Sequence, residues 1–191
     1  MKPAILISIL ACALLTACQP PAADEYSSRG SAANQNEGPS EPIDSPDSTG
    51  AFWASAGLAG GVEERIIYGQ AGQPPYLGIA CETGAARGSA GPANAATVRI
   101  TRFTPADPEA QALMALIGNG HMARLPVDAA FNGQVWLWEG SYSAASTDLD
   151  VLTGPRQIEL TIPGAGSVIL NPSAKPAALI DRCRRLAATA L

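Results

Sequence analysis

Only one histidine, His121, stands in a chain of 191 residues, with four cysteines at positions 12, 18, 81 and 183. Zinc centres draw their ligands from clusters of Cys and His, so a multi-ligand metal site is not expected. Basic charge is scarce as well, with 12 Lys and Arg against 17 Asp and Glu. The deficit is uneven: residues 19 to 50 carry six acids against Arg29 alone, whereas residues 51 to 191 carry eleven acids against ten bases. A nearly neutral domain lacks the basic surface that phosphate neutralisation requires, and no nucleic-acid partner is expected. Long apolar runs are also missing. The longest, Ala4 to Leu15, falls short of the roughly 20 residues that a membrane-spanning helix needs. Nucleophile elbows of the Gly-x-Ser-x-Gly kind, Cys-x-x-Cys pairs and Gly-Lys-Ser/Thr phosphate loops are absent, so no enzyme activity and no cofactor are expected.

What is present begins with an export signal. Met1-Lys2-Pro3 precedes the apolar run, and small residues follow it, the pattern of a signal peptide. The segment Leu15-Thr16-Ala17-Cys18 resembles the lipobox of bacterial lipoproteins. That resemblance implies removal of residues 1 to 17 and acylation of Cys18, with a palmitate-type chain among its lipids. Two or more acyl chains make such a membrane anchor stable, whereas one chain binds only marginally. Gln19 stands where an Asp would retain a lipoprotein at the inner membrane, which implies the outer membrane, facing the periplasm.

With Cys12 in the discarded signal and Cys18 lipidated, Cys81 and Cys183 remain in an oxidising compartment, and a disulfide between them is expected. Residues 18 to 50 form an acidic linker rich in Pro, Ser, Gly and Asn, too poor in apolar side chains to offset the entropy of ordering it. As a flexible coil it spans roughly 30 Å and holds the domain away from the lipid.

Residues 51 to 191 read as one domain, mainly β. Arg65 to Tyr68, Tyr76 to Glu82, Thr97 to Phe103, Met122 to Ala129, Gln134 to Gly140, Arg156 to Ile162 and Ser167 to Leu170 carry the strand pattern. Leu77, Ile79 and Cys81 share one face, and Val98 and Ile100 oppose Arg99 and Thr101 on another strand. Pro163-Gly164-Ala165-Gly166 predicts a hairpin between the last two strands. Glu109 to Ile117 suits a helix after Asp107-Pro108, but Gly118-Asn119-Gly120-His121 also suits a hairpin, and the hairpin is favoured. Ser173 can cap a terminal helix with Pro176 in its first turn, and Leu179, Cys183 and Leu186 fall on one stripe of it. The disulfide would then staple that helix to a core strand. The expected fold is a small antiparallel β-sandwich or barrel-like domain with a C-terminal α-helix. Arg182, Arg184 and Arg185 suit the negative end of the helix dipole.

Several residues are candidates for chemistry or binding. His121 could act as a base with Asp128 or Glu139 beside it, although a histidine next to Asn119-Gly120 reads more naturally as a turn residue. Asp148 and Asp150 read as solvated acids or a helix cap, and Gly84, Gly88 and Gly91 around Arg87 lack a phosphate-loop signature. Trp136 and Trp138 share a strand face. They are core if both faces of the strand are covered, and otherwise form a flat aromatic platform for a sugar ring or a protein partner. Glu139, His121 and Arg124 are the polar side chains that would serve such a platform.

The segments Ile79-Ala80-Cys81, Gly118-Asn119-Gly120-His121, Ala123 to Asp128, Trp136 to Ser141, Leu170 to Ser173 and Leu179 to Arg184 together resemble an uncharacterised family of envelope lipoproteins from sphingomonad-type alphaproteobacteria. The resemblance covers about residues 64 to 186 and implies no activity. In arrangement alone the domain is similar to small β-barrel lipoproteins that inhibit lysozyme in the periplasm, whose Ser-Gly-x-x-Tyr signature it lacks. The expected role is a non-enzymatic structural or interaction module, with the membrane and an envelope protein or glycan as partners. The alternative is a binder or inhibitor of glycans or their hydrolases that uses the Trp136 and Trp138 face.

Overall fold

A computed structural model describes residues 43–56, 62–83 and 96–189, all within one compact unit that spans 40–191. The signal segment, Cys18, most of the linker and the glycines around Arg87 lie outside the described residues.

Nine strands form a single antiparallel sheet: β1 (Phe52–Ser55), β2 (Val62–Gly69), β3 (Leu77–Thr83), β4 (Ala96–Pro105), β5 (Gln111–Gly118), β6 (His121–Phe131), β7 (Trp136–Ser143), β8 (Ile158–Ile162) and β9 (Gly166–Leu170). A 3₁₀ helix, Thr147–Leu152, separates β7 from β8, and the helix α1 (Lys175–Thr189) closes the chain. The spatial order is β1-β2-β3-β4-β7-β6-β5-β8-β9, and the sheet curls into a nearly closed barrel. The mainly β fold with its terminal helix thus agrees with the sequence pattern.

Alternation explains the curl. Ile66 and Tyr68, Leu77, Ile79 and Cys81, Val98 and Ile100, Met114 and Leu116, Leu125 and Val127, Leu160 and Ile162, and Val168 and Leu170 all face one continuous interior core. Strands whose apolar residues recur every second position can bury only one face, so the sheet folds that face inward. Residues 109 to 118 adopt the hairpin alternative. Asn119 at φ 52° and Gly120 at φ 79° make the two-residue turn between β5 and β6, and left-handed backbone at both positions is what such a hairpin needs. The Asn119 side chain then donates to the Val151 carbonyl and accepts from the Arg156 amide, which ties the turn to the 3₁₀ helix.

The two edges of the sheet are joined by polar contacts. Tyr68 of β2 donates its hydroxyl to the Ile169 carbonyl at 2.8 Å and accepts the Asn171 amide at 3.0 Å. The Asn171 side chain donates to the carbonyls of Ser48 and Ala51. Residues 43–50, read from composition as the end of the linker, instead run beside β9. The Ile43 amide donates to Gly164, and the Ser45 hydroxyl accepts from the Ser167 amide. The domain therefore begins before the boundary expected at residue 51. Pairing a β edge with a strap of chain removes the exposed row of donors and acceptors that invites aggregation.

At the other end α1 packs on β2, β3, β4 and the 3₁₀ helix, and buries Leu179, Ile180 and Cys183 completely. Such burial contributes roughly 2 kcal/mol per large apolar side chain. The Ser173 hydroxyl accepts the Lys175 amide, as a capping residue does. Cys81 and Cys183 are bonded, with Cα atoms 5.5 Å apart, so the expected staple between helix and core strand is present. Because α1 runs on to Thr189, its last turn holds no basic residue, and the expected match of Arg182, Arg184 and Arg185 to the helix dipole is corrected: Arg184 anchors the helix sideways instead. It pairs with Asp150 at 2.6 Å and donates to the carbonyls of Ala144 and Ser146, so Asp150 is an anchoring acid rather than a solvated one.

Candidate functional site

Strand direction sorts the loops into two groups. The helix end of the barrel carries the β5–β6 turn, the 3₁₀ helix and α1. The opposite end, the mouth, gathers the β2–β3, β4–β5 and β6–β7 connections, the β8–β9 turn and the segment from Ile43 onward.

The candidates named from sequence do not converge on one site. His121 opens β6 at the helix end and is exposed, and its imidazole makes no hydrogen bond among the described residues, so it lacks the orienting acid a catalytic base requires. Arg124 is exposed on the outer face of β6, opposite Ala115. Glu139 belongs to an ordered ladder on the outer face of the sheet. Arg99 is paired with Glu82 at 2.7 Å and with Glu139 at 2.8 Å, and the Thr101 hydroxyl donates to Glu139. Burial pulls the Arg99 guanidinium down, but its hydrogen bonds to the two carboxylates outweigh that and hold it above its ordinary value. A carboxylate committed to this ladder is a sheet brace, not a ligand group beside the tryptophans. Among the described residues no cluster of three His, Cys, Asp or Glu side chains could hold a metal.

The tryptophan pair splits. Trp138 is 6% exposed and part of the core, whereas Trp136 is half-buried at the start of β7. Trp138 takes the core alternative, because the barrel closes over the deeper residue, and the other alternative, a flat platform of two exposed indoles, does not form. In its place Trp136 pairs across strands with Phe131, ring centroids 5.4 Å apart, and Phe131 is 56% exposed. Val135 is exposed in the same connection. Because Phe131, Trp136 and Trp138 share the inward face of their strands, this aromatic edge continues the core out to the rim of the mouth.

A residue that the sequence reading passed over lies deeper. Arg102 follows Val98 and Ile100 on the inward face of β4 and is 3% exposed. Its Nη1 donates to the Tyr76 carbonyl at 2.9 Å and its Nη2 to the Ala165 carbonyl at 3.3 Å, while among the described residues Nε finds no hydrogen-bond partner. No acid pairs with it among the described residues. Burial draws this guanidinium down to about 10, so it stays charged at neutral pH. Its cross-strand neighbour on β7 is Trp138, whose indole Nε1 is also buried and has no partner among the described residues. Arg102 lines a cleft of about 400 Å³ at the mouth, whose walls include Ile43, Tyr76, Phe103 and Pro105 and whose lining includes Asp44. The signal for Arg102 was available in the sequence, since the two-residue period puts it on the Val98 and Ile100 face.

Compared with known proteins, the chain matches no family model, no curated protein and no solved structure.

Proposed function

We propose that this protein is a lipid-anchored component of the cell envelope, sited at the outer membrane facing the periplasm, whose barrel is a non-enzymatic interaction module. The Leu15-Thr16-Ala17-Cys18 lipobox supports the anchor, and the acidic stretch up to residue 42 supports a tether that repels anionic headgroups. The observation that carries the binding role is the aromatic edge at the mouth, where exposed Phe131 packs against Trp136. A cluster of large apolar side chains left exposed at loop ends is the kind of patch that marks a recognition surface.

The same rings favour an envelope glycan as the partner, because the faces of sugar rings stack on aromatic side chains. A single fractionation tests both parts. The Cys18→Ser protein is expected in the soluble rather than the membrane fraction, and this soluble chain is expected to co-sediment with isolated peptidoglycan. Adding Phe131→Ser and Trp136→Ser is expected to cut co-sedimentation at least tenfold while leaving the melting temperature nearly unchanged. Co-sedimentation that ignores those two substitutions would rule out the aromatic edge as the glycan surface, and membrane retention of Cys18→Ser would rule out the anchor.

A further inference from the structure

The charges around the aromatic edge are of one sign. The five segments that form the mouth, 43–50, 70–76, 106–110, 132–135 and 163–165, hold Asp44, Asp47, Asp107 and Glu109 and no Lys, Arg or His. All four acids are exposed. Arg102, on the inward face of β4, is buried, and two of its nitrogens are committed to backbone carbonyls. Exposed charges of one sign gathered at one end of a low-dielectric body concentrate ligands of the opposite sign there and exclude those of the same sign.

Glu109 is the acid that the backbone places beside the rings. Its turn is fastened to the β6–β7 hairpin on both sides: the Ala106 amide donates to the Trp136 carbonyl at 3.0 Å, and the Ala110 carbonyl accepts the Ala129 amide at 2.8 Å. The Ala110 amide donates to the Asp107 carbonyl, which closes a four-residue turn with Pro108 second and Glu109 third. Glu109 has φ 62°, the left-handed backbone for which glycine is the preferred residue at the third place of such a turn. The glutamate strains the turn, and its carboxylate recovers nothing through an ion pair or hydrogen bond among the described residues. Conformations held at a cost cluster where a side chain must be presented to a ligand.

We infer that the aromatic edge selects a glycan whose sugars carry free, protonated amines, with the sugar faces lying on Phe131 and Trp136 and the amines meeting Glu109 and the acidic mouth. This rests on the glycan reading of the same edge and adds to it a choice among glycans. Two features select that class. Exposed Phe131 and half-buried Trp136 offer ring faces that attract both sugar faces and cations. The four acids, with no exposed base among them, favour a cationic sugar over a neutral one and disfavour an anionic one.

The test is a calorimetric titration of the soluble Cys18→Ser chain with a β-1,4-linked glucosamine hexamer, its N-acetylated counterpart and a lysine hexamer. The amine form is expected to bind at least tenfold more tightly than the acetylated form, and the gap is expected to close at high salt, where exposed charges are screened. Glu109→Gln is expected to weaken the amine form about threefold, the scale of one exposed charge contact, and to leave the acetylated form unchanged. Glu159→Gln, on the outer face of β8, is the silent control. Glu109→Gly is expected to lose the same affinity while raising the melting temperature, because glycine relieves the left-handed turn. A fall in melting temperature would assign the glutamate to folding and overturn its role at the edge. Equal affinity for the two sugar hexamers would overturn the amine preference and leave the glycan reading standing, since co-sedimentation with peptidoglycan tests that reading separately. Amine binding that survives Phe131→Ser with Trp136→Ser, or that the lysine hexamer matches, would overturn the inference in favour of a cationic peptide, and no binding of either sugar hexamer would overturn it outright.

Discussion

Replacing both bridge cysteines, Cys81→Ala with Cys183→Ala, is expected to lower stability by about 4–5 kcal/mol, the largest single effect in the domain. The bond closes a sequence separation of 102 residues, for which the chain-entropy account gives about 4.7 kcal/mol. Both side chains are fully buried, and Cys183 lies on the stripe that carries Leu179 into the core, so the loss of two sulfur atoms adds a small packing cost. Since α1 is the last element of the chain, its departure exposes the ends of β2, β3 and β4 that it covers. Urea unfolding measures this directly: the midpoint falls and the slope holds if the native state is unchanged. A fall below 1 kcal/mol would show that packing and the polar contacts of α1, those of Arg184 among them, hold the helix without the bond.

Tyr68→Phe is expected to cost about 3 kcal/mol, far more than the loss of one oxygen suggests. The hydroxyl answers two backbone groups at once, the Ile169 carbonyl and the Asn171 amide, and the phenylalanine ring leaves both unpaired. Each orphan left away from water costs about 1–3 kcal/mol, and these two are partly buried. Burial, offset in part by the Asn171 amide, raises the phenol above its ordinary range, so the group stays a neutral donor through the pH range in which the protein is handled. The contacts bridge β2 to β9, so the substitution opens the barrel at its seam. Amide exchange is therefore expected to accelerate at Asn171 and along β1 more than on β5 and β6. Tyr76→Phe is the control: its hydroxyl donates to the Asp47 carbonyl at an exposed position, and the expected cost is under about 1 kcal/mol. Equal costs for the two variants would contradict the role given to the seam.

The elements differ in how far the sequence reveals them, for physical reasons. Strand faces were legible, because the period of two is imposed by the backbone and apolar residues obey it from Ile66 to Leu170. The hairpin at Asn119-Gly120 was legible through its turn chemistry, which needs left-handed backbone at both positions. Closure was not. It depends on Tyr68, Asn171 and the strap at 43–50, whose composition is that of linker, and hydrogen bonds from a polar segment to a sheet edge leave no periodic trace. The short β1 was missed for a similar reason, since a strand of 4 residues carries too few alternations to register. For the site, the shared face of Trp136 and Trp138 was legible but their depth was not, because depth is set by where the neighbouring strands end. Arg102 was within reach by parity alone, and was passed over because a charged side chain weighs against an inward position.

Gly140 shows how tightly the inner face is filled at its centre. A Cβ there would overlap the Tyr142 phenol and approach the Pro126 carbonyl to 2.8 Å, and the phenol uses the vacated space to donate to that same carbonyl. Toward the mouth the strand carries Trp138 and then Trp136, and the core ends in a rim that solvent reaches.

Photo-crosslinking in intact cells tests most directly whether that rim is where the protein meets its partner. A photoreactive phenylalanine analogue is placed at Phe131 in one variant and at Met122, an exposed apolar residue on the outer face at the helix end, in another. A discrete adduct from position 131, absent from position 122 and lost on adding Trp136→Ser, is the predicted result. An adduct from position 122 with none from 131 would contradict the account and move the interaction surface to the outer face of the sheet.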